Sequence, residues 1–96
     1  MIVVIDDDSR RRDISEAILA KLRFAVAPFE SVDKAITAMR ALRPEVVVAR
    51  EDAVAALRGR MPTDREGRVI PLLAITDELA APEALVEALR RLLPPA

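Results

Sequence analysis

Four short apolar runs alternate with stretches of helical periodicity along this chain. Ile2–Ile5 is a continuous β-branched run, the pattern of a strand buried on both faces of a parallel sheet. Asp6-Asp7-Asp8-Ser9 interrupts it with turn and N-cap residues. Ile14, Ile18 and Leu22 then recur every fourth position, with Ala17 beside them. That stripe predicts an amphipathic helix over about residues 10–22. Residues 24–28 form a short second strand. Ser31 is placed to cap a second helix whose apolar face is Val32, Ala35, Ile36, Met39 and Leu42. Arg43 precedes Pro44 and ends that helix, because the residue before proline is driven out of the helical region.

Residues 45–49 read as a third strand, apolar through the middle. Asp52 is placed to cap a short third helix carrying Ala53, Val54 and Leu57. Residues 58–68 are polar, contain Gly59, Pro62 and Gly67, and predict a loop. Residues 69–76 form the fourth strand, with Pro71 near its start or on an edge. Pro82 suits the first turn of a last helix that shows Leu85, Ala88, Leu89 and Leu92 and stops at Pro94-Pro95. Strands alternating with helices imply right-handed βαβ units and a parallel sheet. The 96 residues predict one α/β domain, with no internal repeat or dividing linker.

Composition narrows the chemistry. Apolar residues are 52% and charged residues 32%, which argues against disorder. Phe24 and Phe29 are the only aromatics, so the core must be aliphatic. The net charge of −1 favours neither nucleic acid nor an anionic membrane. With no cysteine and no histidine, disulfides, the usual zinc sites and histidine acid–base catalysis are excluded. The opening Met-Ile-Val-Val-Ile-Asp lacks a basic segment and a long apolar run. No stretch reaches the roughly 18 apolar residues that span a bilayer. A cytoplasmic location is therefore expected.

The order and spacing of these elements resemble a response-regulator receiver domain, of the chemotaxis-regulator kind. Val-Val-Ile-Asp6-Asp7-Asp8-Ser resembles the family's first strand and acidic pair. Arg43-Pro44-Glu45-Val-Val-Val falls in register, and Ile-Pro71-Leu-Leu-Ala-Ile-Thr76 resembles the strand that ends in the family's switch hydroxyl, here Thr76. The likeness is good over about residues 2–50 and fair over 68–77. It implies a flavodoxin/receiver-like open sheet of four strands in the order 2-1-3-4, with helices on both faces. The family's fourth helix and fifth strand have no counterpart, since no apolar run follows Thr76.

The departures from the family bear on function. Counting from Pro44, the acceptor aspartate of the family falls on position 50, which is Arg50. The family's loop after the acceptor is missing, and so is its lysine; the only lysines are Lys21 and Lys34. Phosphoryl transfer to aspartate needs a carboxylate nucleophile, an oxygen-bound divalent cation and a cation for the equatorial oxygens. A guanidinium cannot attack phosphorus and stays protonated. It also repels a metal, by about 4 kcal/mol per charge pair at ~4 Å and an effective dielectric of ~20. The expectation is that Asp6, Asp7 and Asp8 form a degenerate acidic pocket. Arg50 is expected to pair with Asp6 or Asp7 in place of a metal. No catalytic residue and no cofactor are expected.

Simpler roles exist for each residue. Asp6 to Ser9 serve equally as turn and cap residues, Thr76 as a strand-end hydroxyl, and Arg10-Arg11-Arg12 as a solvated face or a docking patch for an acidic partner. Without a fifth strand, the fourth lies at a sheet edge and is prone to pairing. Leu72, Leu73, Ile75, Leu85, Leu89 and Leu92 are then the expected interface, and a two-fold homodimer the simplest closed form. The resulting expectation is a non-phosphorylatable pseudo-receiver. It would bind a sensor kinase, another regulator or itself, with no enzymatic activity and no nucleic-acid or membrane partner. The alternative is an atypical acceptor using Asp6, Asp7 or Asp52 with Mg2+. A nucleotide-binding α/β domain would need a glycine-rich phosphate loop, and Gly59 and Gly67 do not make one.

Overall fold

The computed structural model describes residues 1–63, 66–75 and 82–92. Four strands, β1 (Ile2–Ile5), β2 (Val26–Phe29), β3 (Val46–Arg50) and β4 (Leu72–Ile75), alternate with four helices. The helices are α1 (Ser9–Lys21), α2 (Val32–Leu42), α3 (Glu51–Leu57) and α4 (Pro82–Leu92). The strands make one parallel sheet in the order β2-β1-β3-β4. This is the α/β architecture and strand order expected from the sequence.

Two core clusters explain the apolar runs. On one face, Val3, Ile5, Val47 and Ala49 pack with Ala35, Ile36 and Met39 of α2 and Leu57 of α3. On the other, Ile2, Val4, Val46 and Val48 pack with Leu19 of α1 and Leu85 and Leu89 of α4. Helices therefore cover both faces, and β1 and residues 46–49 of β3 have no solvent side on which to place a polar residue. Full burial of one such aliphatic side chain is worth about 1.5–3 kcal/mol. Among the described residues, no helix is long and apolar enough to cross a membrane.

α2 turns the expected face inward: Ala35, Ile36 and Met39 are buried, Ser31 caps it, and Arg43 ends it in a left-handed conformation. α1 does not. Ile14 is 54% exposed and Leu22 37%, while Ser15 and Leu19 are buried. Steps of four residues advance the side chain by about 40° around a helix, so the 14-18-22 stripe drifts off one face. What sets the rotation is polar. Asp8 caps the helix, and Arg11 and Arg12 reach back to Asp6. Those three positions share a side with Ser15 and Leu19, and that side meets the sheet.

Several boundaries shift. β2 starts at Val26 because residues 22–24 close the end of α1: the Arg23 N–H bonds the Ala20 carbonyl at 2.9 Å and the Phe24 N–H the Leu19 carbonyl at 3.1 Å. β3 runs one residue further, through Arg50, directly into α3. With no intervening loop, Arg50 occupies the N-cap position and Asp52 sits in the first turn, so Asp52 is not the cap. β4 begins at Leu72, after Pro71; Val69 instead makes an isolated antiparallel bridge to Thr63. Thr76 lies outside the described residues.

The expected interface also changes. Ile75, Leu85 and Leu89 are core residues, buried against Val46 and Val48. They cannot serve as a surface in this fold. Leu72 and Leu73 are half-buried on opposite faces of β4, and Leu92 is exposed on α4.

Candidate functional site

The carboxyl ends of β1 and β3 meet where the chain order reverses, between the outward course to β2 and the return to β3. Open parallel sheets place their sites at this point. The register brings Ile5 level with Ala49, so Asp6 and Arg50 stand one step beyond on neighbouring strands. A crevice of about 250 Å³ opens there. Its walls include Asp6 and Asp7 after β1, Glu30 and Ser31 before α2, Arg50, and Asp52 from α3. Small-molecule pockets are commonly about 300–1,000 Å³, so this one is small.

Asp6 is the anchor of the site. It is 3% exposed, and a buried carboxylate must be paired or hydrogen-bonded. Arg11 supplies the pair in a forked geometry. Its Nε donates to Asp6 Oδ2 at 3.0 Å and its Nη2 to Asp6 Oδ1 at 3.0 Å. The Asp8 N–H donates to Asp6 Oδ1 at 2.9 Å, and Arg12 Nη1 donates to the Asp6 carbonyl at 2.7 Å. The same Arg11 guanidinium lies 3.4 Å from Asp7 Oδ1 and 3.6 Å from Asp8 Oδ2. One planar cation thus serves three carboxylates, a task for which the arginine fork is well shaped. Its hydrogen bonds to Asp6 raise the pKa of the Arg11 guanidinium, with the charges of Asp6, Asp8 and Asp7 acting the same way.

Asp8 does not line the crevice. It accepts from the Arg11 N–H at 3.0 Å as the cap of α1, and that bond lowers its pKa. At the opposite rim, Lys34 pairs with Glu30, and the hydrogen bond from Lys34 lowers the Glu30 pKa.

The expected residues are therefore only partly brought together. Asp6, Asp7 and Arg50 share the crevice, and Arg50 is half-buried at the end of β3. The described ion pairs of Asp6 and Asp7, however, are made by Arg11 and not by Arg50. Arg11 and Arg12 accordingly belong to the fold's own electrostatics, so the basic run is not a wholly free docking patch. A signal for Arg11 existed in the sequence. An aspartate at the end of a buried strand demands a counter-charge, and the nearest cations follow it within one helical turn.

A divalent cation needs several oxygen donors turned to one point. Asp6 spends both oxygens on Arg11 and the Asp8 N–H, and Arg50 adds a positive charge to the crevice wall. Among the described residues, no three acidic side chains are grouped for a metal.

The chain matches no model of a known protein family, and no curated protein matches it.

Proposed function

We propose that this chain is a receiver-like regulatory module that takes up no phosphoryl group and works by binding another protein. The observation that carries this reading is the forked Arg11–Asp6 pair beside Arg50 at the end of β3. Positive groups stand where phosphoryl transfer to an aspartate would need a metal and a nucleophile. A module held in one electrostatic state presents one surface, which suits a constitutive binding partner such as a sensor kinase or a second regulator. The sheet order and the position of Arg50 support the receiver likeness. The small crevice, without a glycine-rich loop, argues against a nucleotide ligand.

The test is to incubate the whole chain with a small acyl phosphate and magnesium and to measure its intact mass. The expected result is the unmodified mass throughout. A phosphoryl adduct on Asp6, Asp7 or Asp52 would overturn the proposal in favour of an atypical acceptor. Magnesium titration followed by calorimetry should give no saturable heat.

A further inference from the structure

We propose that two copies of this chain join through the outer edges of β4, antiparallel and centred on Leu73, making one continuous eight-stranded sheet. The backbone groups of β4 point alternately toward β3 and away from it. The Val47 N–H donates to the Pro71 carbonyl at 3.0 Å. In a parallel ladder, alternate residues of a strand face a given neighbour. Pro71, Leu73 and Ile75 therefore direct their backbone groups at β3, and Leu72 and Ala74 direct theirs away. No described strand lies beyond β4. An edge of this kind is usually blunted by a charge, an outward proline or a bulge. Leu72–Ile75 carries no charge, and the donor missing at Pro71 is missing on the β3 side. The outer edge is intact.

That edge is complementary to itself. With a two-fold axis at Leu73, Leu72 stands opposite Ala74 of the second copy, and Ala74 opposite its Leu72. Both are hydrogen-bonded pairs, and each exchanges two N–H···O=C bonds. Four bonds form without distorting either strand. The side chains match as well, since each large Leu72 meets a small Ala74 on one face. The two copies of Leu73 meet on the other face, beside the core that holds Ile75 and Leu85. A net charge of −1 per chain sets little repulsion against the pairing. A second copy is therefore the fitting occupant. The pairing does not involve the crevice at Asp6 and Arg50, so it stands or fails separately from phosphoryl silence.

Sedimentation velocity over a concentration series tests it, with two variants. Ala74→Pro removes two of the four bonds and should weaken dimerisation by roughly thirtyfold or more, with circular dichroism unchanged. The chain has no cysteine, so Leu73→Cys introduces a single thiol at the axis, where paired strands bring Cα atoms to about 4.5 Å, within disulfide reach. Oxidation should cross-link Leu73→Cys rapidly and Leu92→Cys, exposed on α4, much more slowly. A chain that stays monomeric at the highest concentration, or an Ala74→Pro variant that dimerises like the parent, overturns the proposal. Should Ala74→Pro fail to fold, the cross-linking comparison decides. Equal rates at 73 and 92, or no product at 73, overturn it too.

Discussion

The sheet has two edges, each with a proline in or beside the edge strand, and they use it in opposite ways. In β2 the Ile2 N–H donates to the Ala25 carbonyl and the Asp6 N–H to the Phe29 carbonyl. Val26 and Pro28 therefore face away from β1, and the outer ladder lacks a donor at Pro28. In β4 the phase is reversed: Pro71 faces β3, and the outer ladder from Leu72 to Ala74 is whole. The same residue removes a donor from the outer ladder of one edge and, among the described residues, none from that of the other. What decides is a one-residue phase relative to the neighbouring strand, not proline content.

Four substitutions break or sharpen this contrast. The largest effect belongs to a change that touches neither edge. Met39→Ala empties a fully buried site under α2 and should cost about 2–5 kcal/mol in chemical denaturation. It should leave the dimer affinity of the folded fraction unchanged. Next is Ala74→Pro, which gives β4 the outward proline that β2 already has; sedimentation should show dimerisation weakened by roughly thirtyfold or more. Third, Pro28→Val restores an outward N–H to β2, and light scattering should show species larger than a dimer, with about tenfold stronger association through that edge. If Pro28→Val leaves the size distribution unchanged, proline phase is not what distinguishes the edges.

The smallest effect lies at the cap that sets the rotation of α1. The Asp8 pKa is lowered from the usual 3.8 by the Arg11 N–H. A carboxylate lowered on folding contributes stability above its unfolded value and loses it as pH falls through the folded value. Melting temperature should therefore drop as pH falls below 3.8. Asp8→Asn, which keeps an acceptor for the cap, should flatten part of that drop while leaving β4 association intact.

Much of this was legible in the chain. Ile2–Ile5 and the valines of β3 announce buried strands because both faces of the sheet are covered. The α2 stripe announces its buried face because nothing polar competes for that orientation. In α1 the arginine clamp on Asp6 outweighs the apolar stripe, and Ile14 is turned to solvent.

Local pattern by itself determined the number and kind of elements, the aliphatic core and the place of Arg50 just after the buried run of β3. Hydrophobic period and turn chemistry act over neighbouring residues, so they are visible in order along the chain. Only the tertiary structure decided that Arg11 holds Asp6, that Leu85 and Leu89 are interior, and that Pro28 faces outward while Pro71 faces inward. These depend on helix rotation and strand register, which are fixed by contacts between residues distant in sequence.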